Sequence, residues 1–147
     1  MSKTLIFTAT YNEKENIKKL LENLNQLKID LDILVIDDNS PDKTWKILQE
    51  LEKKNQNLKV IIRNNKLGLD TAHKTAFTYA KNNNYEKFIS MDADLSHDPM
   101  EIPKMIDILD KSSFVIGSRY IKGGKCEMSG HRFILSIIGN KFIKKIL

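Results

Sequence analysis

The sequence predicts an α/β fold in which a mostly parallel β-sheet is covered by helices on both faces. Short apolar runs alternate along the chain with segments of helical periodicity, which is the pattern of successive βαβ units. The runs are continuously apolar rather than alternating with polar residues, as expected for strands that are buried on both sides. The chain has 147 residues, which is enough for one domain with a sizeable core.

Five strands are predicted from the apolar runs. They are Thr4–Ala9, Ile33–Asp37, Leu58–Arg63, Lys87–Met91 and Ser113–Gly117. Parallel strands of one sheet are joined by crossover connections, and helical patterns occupy the intervals between the runs.

Three of the predicted helices have readable N-terminal signals. Asn12–Glu15 has the pattern of a capping box, Ser40–Pro41 places an N-cap before a proline, and Asp98–Glu101 repeats that arrangement. The apolar faces that follow comprise Ile17, Leu20, Leu21 and Leu24, then Trp45, Leu48 and Leu51, and then Ile102, Met105, Ile106 and Leu109. A fourth helix is predicted over Thr71–Lys81. Its small-residue face comprises Ala72, Ala76 and Ala80.

The composition of the chain changes after Gly123–Gly124. Residues 131–147 combine apolar and basic side chains at helical spacing, and the chain stops inside this pattern without a C-terminal cap. We therefore expect residues 1–125 to form the core, and residues 126–147 to form a basic amphipathic helix that begins a further C-terminal part. Such a helix suits either a membrane interface or packing inside that further part.

The composition also limits the cellular compartments in which the protein is expected. Cys126 is the single cysteine, so no disulfide can form within the chain. The N-terminus lacks the features of a signal peptide, and no apolar run is long enough to span a bilayer. We therefore expect a cytoplasmic protein, or one attached to the cytoplasmic face of a membrane. The net charge of +5 suits an anionic partner such as a phosphorylated ligand, and we expect no nucleic-acid partner.

Polar side chains cluster where each predicted strand ends. The clusters are Thr10–Glu13, Asp37–Ser40, Arg63–Lys66, Asp92–Asp98 and Ser118–Tyr120. In open parallel sheets, ligands bind beyond the carboxyl ends of the strands. The sequence therefore predicts a ligand site at this edge of the sheet.

Asp92 and Asp94 form the most specific of these clusters. One residue separates the two carboxylates directly after a predicted strand, so both can face the same cation. Oxygen ligands suit Mg²⁺ or Mn²⁺, which usually bind the phosphate oxygens of a substrate as well. A bare pair of this kind is common in exposed loops, but the following Leu95–Pro99 makes the pattern more specific.

The other polar residues allow two interpretations each. Asp38 suits hydrogen bonds with a base or ribose, and we favour ligand binding over helix capping. Tyr11 and Glu13 suit a nucleotide base, but taken alone the start of a helix is the favoured explanation of both. Arg119 is either a phosphate contact or a surface arginine. His97 is either a base or a hydrogen-bonding loop residue, and we favour the second interpretation.

Taken in order along the chain, these segments resemble the polyprenyl (dolichol) phosphate mannosyltransferases of glycosyltransferase family 2. The matching stretches are Thr10–Ile17, Val35–Asp42, Lys66–Leu69, Met91–Pro99 and Ile116–Tyr120, extended by Gly123–Gly124, Arg132, Ser136 and Asn140. The resemblance covers almost the whole chain. Met91–Pro99 is close to a signature of that family.

The resemblance implies a GT-A fold and transfer of a sugar, typically mannose from GDP-mannose, to a polyprenyl phosphate with inversion. It implies a nucleotide-sugar donor, a polyprenyl phosphate acceptor, peripheral membrane contact and, because the family continues past Leu147, a possible partner subunit. The implied donor-binding residues are Ala9, Tyr11, Glu13, Ile36, Asp38, Asp92, Ala93, Asp94 and Arg119. The implied ligands of Mg²⁺ or Mn²⁺ are Asp92, Asp94 and Ser96. Asp94 and Arg119 are the implied catalytic residues.

The chain departs from the family pattern at several positions. Ala9 stands where the family usually has proline, which implies a less rigid first loop. Lys43 and Asp70 stand where it usually has glycine, Met128 where many members have tryptophan, and Ser96 where some have glutamine near the metal.

Other functions remain open at the level of the sequence. One is a family 2 transferase that uses a UDP-sugar and a saccharide acceptor, for which Asp98 is a candidate base. Another is a nucleotide-sugar-binding module without turnover. A Rossmann dehydrogenase is disfavoured because Thr10–Glu13, rather than a glycine-rich loop, follows the first strand. An aspartyl phosphatase is disfavoured because its acidic pair would follow the first strand rather than the fourth.

Overall fold

The computed structural model describes residues 3–118, 121, 130, 131, 134–136, 138, 139 and 142. Its sheet has four strands, β1 (Thr4–Thr10), β2 (Asp32–Asp37), β3 (Leu58–Ile62) and β4 (Lys87–Ser90). All pairings are parallel and the strand order is β3-β2-β1-β4. The first four predicted strands are therefore confirmed, each to within one residue at either end.

Within residues 3–118, four α-helices connect or follow these strands. They are α1 (Ile17–Asn25), α2 (Thr44–Glu52), α3 (Leu69–Asn82) and α4 (Ile102–Leu109), the last preceded by a 3₁₀ turn, Pro99–Glu101. The Asp98 carboxylate accepts a hydrogen bond from the backbone N–H of Met100, so the predicted cap before Pro99 is confirmed.

The two faces of the sheet carry two separate apolar clusters, because successive side chains of a strand point to opposite faces. One cluster packs α1, α2 and α4 on residues such as Ile6, Val35 and Met91. The other packs α3 on Phe7 and Leu34, with Ala72, Ala76 and Ala80 buried between them. The predicted α/β architecture, with helices on both faces, is thus confirmed.

Two predicted helix starts are wrong, because the expected capping side chains are bound elsewhere. The Asn12 side chain accepts a hydrogen bond from the backbone N–H of Asp42, and α1 begins only at Ile17. The Ser40 hydroxyl donates to Asp37, and α2 begins at Thr44. Each side chain has a long-range or turn partner that replaces the expected cap.

The predicted fifth strand, Ser113–Gly117, is also wrong. These residues form no strand, and the side chains of Phe114 and Ile116 are largely exposed. A β-branched, apolar run has strand propensity, but a strand forms only when a neighbouring strand supplies hydrogen-bonding partners. Among the described residues, no strand pairs with this segment.

The chain divides into two compact units, Met1–Phe114 and Val115–Leu147. In the second unit, residues 131, 134–136, 138, 139 and 142 are helical, within the range predicted as a basic amphipathic helix. The predicted boundary at residue 125 lies outside the described residues and stays a prediction. No helix in the described ranges is long and apolar enough to cross a membrane.

Candidate functional site

A cavity of about 280 Å³ opens at the carboxyl ends of the strands. The register places these ends together, because Thr10 of β1 lies opposite Asp37 of β2, and Asp37 lies opposite Ile62 of β3. The cavity is lined by Ala9, Thr10, Tyr11, Glu13, Asp38, Arg63, Lys66, Gly68, Leu69, Ala72, Asp92, Ala93 and Asp94.

Most of the sequence-predicted site residues line this cavity. They are Ala9, Tyr11, Glu13, Asp38, Asp92, Ala93 and Asp94. Ile36 does not, because its side chain is buried in the apolar cluster under α3. Ser96 is exposed and lies outside the lining. Arg119 lies outside the described residues, so its predicted role is untested.

Asp37 is the buried residue that joins the ends of β1 and β2. Its carboxylate, which is fully buried, accepts hydrogen bonds from the Thr10 hydroxyl at 2.7 Å and from the backbone N–H and hydroxyl of Ser40 at 2.9 and 2.6 Å. A buried carboxylate with three donors is stabilised and fixes their positions. Asp37 therefore has a structural role and leaves its neighbour Asp38 to face the cavity.

The loop after β1 is held against the loop after β2 by a ladder of hydrogen bonds. The backbone N–H groups of Asn12 and Glu13 donate to the hydroxyls of Ser40 and Thr44, at 3.0 and 3.1 Å. The backbone N–H of Lys14 donates to the Asp42 carboxylate at 3.0 Å. These bonds fix the backbone on either side of Tyr11 and Glu13, and so place both side chains at the cavity.

The Asp42 carboxylate makes stability depend on pH. Burial acts to raise its pKa, but hydrogen bonds from Thr44 and Lys14 outweigh burial and lower the pKa below its ordinary value of 3.8. Because the folded pKa is the lower one, the stabilisation is present above pH 3.8 and is lost as the pH falls through the folded value. We expect Asp42→Asn to be less stable than the parent at neutral pH, and the difference to shrink on acidification.

Urea unfolding at about pH 7 and about pH 3 checks this expectation. The exposed Asp107 on α4 provides the matched control, since Asp107→Asn removes the same charge outside the site. A difference between Asp42→Asn and the parent that stays constant with pH would contradict the assignment.

A buried ion pair between Arg63 and Asp38 fixes the loop after β3. Both side chains are less than a tenth exposed. The guanidinium also donates to the Thr71 hydroxyl at 2.6 Å and to the Gly68 carbonyl at 3.0 Å. The second Asp38 oxygen accepts from the backbone N–H of Leu67 at 3.0 Å. Residues 64–68 are therefore tied to β2 and to the start of α3.

Gly68 occupies a backbone conformation that other residues adopt only with strain. Its φ is +87° and its ψ is 159°, and a Cβ built there would lie 3.0 Å from an Asp70 carboxylate oxygen.

We expect Gly68→Ala to lower the free energy of unfolding by roughly 1–3 kcal/mol. Urea unfolding measures the effect. Gly139→Ala, at a helical residue with open space around it, should be neutral or slightly stabilising, and equal losses in both variants would contradict the account.

A strained turn follows the two carboxylates of Asp92 and Asp94. Leu95 has φ +63°, which is unusual for a bulky residue, and its side chain packs against the core. The backbone N–H of Ser96 donates to Asp94 at 2.9 Å, and the backbone N–H of Asp92 donates to Nδ1 of His97 at 3.1 Å. His97 is thus a hydrogen-bonding loop residue, the interpretation favoured from the sequence.

Asp94 carries a negative charge at the cavity. Hydrogen bonds from Ser96, with the nearby His97, lower the pKa of Asp94 below its ordinary value, so the carboxylate is ionised at neutral pH. Asp92 and Asp94 are both exposed and line the same cavity.

The donor set fits Mg²⁺ or Mn²⁺ that binds together with phosphate oxygens. In the described part of the chain, no group of three or more His, Cys, Asp or Glu side chains could enclose a metal ion. Magnesium is usually held by one or two carboxylates, with waters and substrate phosphates completing its shell. The oxygens of Asp92 and Asp94 fit that mode, and Ser96 contacts Asp94 rather than adding a ligand of its own to the cavity.

Six of the lining residues were not among the individual site residues predicted from the sequence. They are Thr10, Arg63, Lys66, Gly68, Leu69 and Ala72. For the four that follow β3, the polar cluster at the end of that strand was a usable signal. The ion pair between Arg63 and Asp38 was not predictable locally, since 25 positions separate the two residues.

Sequence comparison identifies the family. Residues 5–145 match the family described as Glycosyl transferase family 2. This chain belongs to that family. Among its relatives is a dolichol-phosphate mannosyltransferase of Pyrococcus furiosus, 44% identical over 128 residues, which are 85% of this chain and 35% of the relative. A polyprenol monophosphomannose synthase of Mycolicibacterium smegmatis is 33% identical over 148 residues, 99% of this chain and 56% of the relative. The chain thus spans about a third to just over half of these two proteins.

Solved structures of other glycosyltransferases show the same GT-A fold. The mannosyltransferase PcManGT from Pyrobaculum calidifontis, in complex with GDP-Man and Mn²⁺, has a TM-score of 0.54 and 22% identity, covering 62% of this chain and 27% of its own. TarS from S. aureus, in complex with UDP, has a TM-score of 0.58 and 24% identity, covering 76% of this chain and 32% of its own. The predicted GT-A fold is confirmed.

Proposed function

We propose that this chain is the nucleotide-sugar-binding part of an inverting, metal-dependent transferase that moves mannose from GDP-mannose to a polyprenyl phosphate. The observation that carries the proposal is the shared cavity of Asp92 and Asp94 with Tyr11, Glu13 and Asp38 at the carboxyl edge of the sheet. An aromatic ring, acids that accept hydrogen bonds and a pair of ionised carboxylates together suit a nucleoside diphosphate with its cation.

Different side chains of the cavity bind different parts of the donor. Tyr11 offers a ring on which the base can stack, and Glu13 offers carboxylate oxygens to base or ribose N–H and O–H groups. Asp38 has one oxygen engaged by Arg63 and the other by Leu67, so it orders the rim and keeps spare lone pairs for the ribose. Arg119 is proposed to contact phosphate oxygens of the donor or the acceptor.

Asp92 and Asp94 would hold Mg²⁺ or Mn²⁺. When bound, the cation neutralises charge that develops on the departing nucleoside diphosphate. Asp94 is kept ionised by Ser96, and the packed Leu95 keeps the turn that presents it. The site is thereby arranged before the donor arrives, so that little reorganisation is needed during the reaction.

A polyprenyl phosphate needs no general base. Its second ionisation lies near pH 6, as for other phosphate monoesters, so a phosphate oxygen is already anionic at neutral pH. In the proposed reaction that oxygen forms a bond to the anomeric carbon while the bond from that carbon to the donor phosphate breaks, with inversion. The protein's task is then to align the two reactants.

Exposed apolar side chains support a lipid acceptor. Leu67 and Leu69 stand on the rim, each more than half exposed, and Leu69 lines the cavity. Among the described residues of the second unit, four helical ones are also more than half exposed: Ile134, Leu135, Ile138 and Phe142. With the lysines of residues 141–145, this pattern suits peripheral contact with the cytoplasmic face of a membrane. We include that contact, and a possible partner subunit, in the proposal.

Transfer of radiolabelled mannose from GDP-mannose to a polyprenyl phosphate, with Mn²⁺ or with EDTA, tests the proposal. Metal-dependent formation of the lipid-linked sugar is the expected result. Preference for a UDP-sugar, measured by competition of UDP with GDP, would instead favour the alternative donor and a saccharide acceptor. Donor binding without transfer would favour a binding module. Absence of binding to either nucleotide would contradict the proposal.

A further inference from the structure

The ammonium group of Lys66 covers the ring of Tyr11 at the rim of the cavity. Nζ lies 3.8 Å from the ring centroid, which is within the range of a cation–π contact. Both side chains line the cavity and both are exposed. Of the lining residues in the described part of the chain, Tyr11 alone is aromatic, so Lys66 occupies the surface on which a base would stack.

A base and the ammonium group cannot share that face of the ring. Stacked carbon atoms lie about 3.5–4.0 Å apart, so a base would fill the volume that holds Nζ. Lys66 therefore has to move when a base stacks there. The backbone need not move with it, because Leu67 and Gly68 next to it are held by Asp38 and Arg63. The flexible four-carbon side chain of Lys66 allows the motion.

A phosphate oxygen of the donor is a suitable new partner for the displaced ammonium group. Four acids line the cavity, namely Glu13, Asp38, Asp92 and Asp94, together with two basic residues, Arg63 and Lys66. The Arg63 guanidinium is already bound to Asp38, Thr71 and the Gly68 carbonyl. Lys66 is thus the basic side chain that is free to follow an incoming phosphate, among the lining residues that the structure describes.

We propose that Lys66 exchanges partners when the donor binds: it leaves Tyr11 to the base and binds a diphosphate oxygen. This inference rests on the proposed function. It makes Lys66 a residue that discriminates between ligands. When a nucleoside binds, the contact between Lys66 and Tyr11 is broken and no new contact of the ammonium group replaces it. When a nucleoside diphosphate binds, Lys66 forms a charge-assisted hydrogen bond with a phosphate oxygen instead.

Substitution of Lys66 therefore has opposite effects on two ligands. In Lys66→Met, guanosine or uridine should bind about 2- to 5-fold more tightly, because no cation–π contact has to be broken. GDP or UDP, with Mg²⁺ present, should bind about tenfold more weakly, because a contact with a charged group is lost. Lys66→Arg should restore diphosphate binding. Lys74→Met removes the same charge from an exposed position of α3 outside the cavity, and should leave both affinities unchanged.

Nuclear magnetic resonance of the free and bound protein tests the exchange directly. In the free protein, the ε-methylene protons of Lys66 should be shifted upfield by the ring of Tyr11, and the shift should vanish in Tyr11→Leu. Saturation with GDP or UDP and Mg²⁺ should remove the shift in the parent protein.

The outcomes separate the two proposals. If the parent binds neither GDP nor UDP, the proposed function fails and the exchange fails with it. If the parent binds the diphosphate while the shift of Lys66 persists, or if Lys66→Met changes both affinities in the same direction or neither, the exchange alone is overturned. Opposite changes together with loss of the shift on binding support it.

Discussion

Replacing Asp94 with Asn is expected to abolish metal-dependent donor binding while the protein stays folded. The amide oxygen of asparagine can still accept the hydrogen bond from Ser96, so the turn after the acidic pair is retained. The negative charge that attracts the cation is lost. We expect affinity for GDP or UDP in the presence of Mn²⁺ to fall about 100-fold or more, and mannose transfer to become undetectable.

Isothermal titration with and without EDTA measures this loss. Asp107→Asn again serves as the control, because it removes an exposed carboxylate of α4 and should bind the donor as the parent does. Circular dichroism and the urea midpoint confirm that the fold is intact. If Asp94→Asn bound GDP or UDP as tightly as the parent and with the same dependence on metal, Asp94 would not be a metal ligand.

Replacing Arg63 with Met is expected to lower the free energy of unfolding more than Gly68→Ala does. The change leaves the Asp38 carboxylate, which is 7% exposed, without its cation. Removing one partner of a buried ion pair typically costs about 3–5 kcal/mol, because the remaining charge is uncompensated. The bonds that Arg63 donates to Thr71 and Gly68 are lost too, so the loop that carries Lys66 is held less firmly and donor affinity should fall as well.

A double variant distinguishes the unpaired charge from a loss of packing. Asp38→Asn combined with Arg63→Met removes the buried charge, and should be more stable than Arg63→Met alone. Lys59→Met, on the strand that precedes Arg63, is the control, because its ion pair with Glu52, at 3.2 Å, is partly exposed and should contribute less than about 1 kcal/mol. Urea unfolding gives all of these values, and a double variant as unstable as the sum of the single changes would contradict the explanation.

The sheet was predictable because its strands are local features of the sequence. The runs that became β1 to β4 are mainly apolar, and the helical segments between them favour parallel pairing. The ends of those strands then followed from chain geometry, which brought Tyr11, Asp38 and Asp94 to one cavity. Ser113–Gly117 has the same composition, but strand formation depends on a neighbour that local sequence does not specify.

The errors at the helix starts have a common cause. Asn12 and Ser40 have the residue types of N-caps, yet the Asn12 backbone N–H donates to the Ser40 hydroxyl across 28 positions. A local capping rule cannot include a competing partner that distant. For the same reason, the local sequence did not predict the role of Arg63, which depends on its contacts with Asp38 and Thr71.

The most direct test of the account is to locate Mn²⁺ in the presence of GDP or UDP. A paramagnetic ion broadens the backbone amide signals that lie near it, and ¹⁵N-labelled protein with Mg²⁺ gives the reference. We expect the signals of Asp92–Ser96 to be lost first in the parent protein and to be retained in Asp94→Asn. Broadening elsewhere in the chain, with the signals of Asp92–Ser96 unaffected, would contradict it.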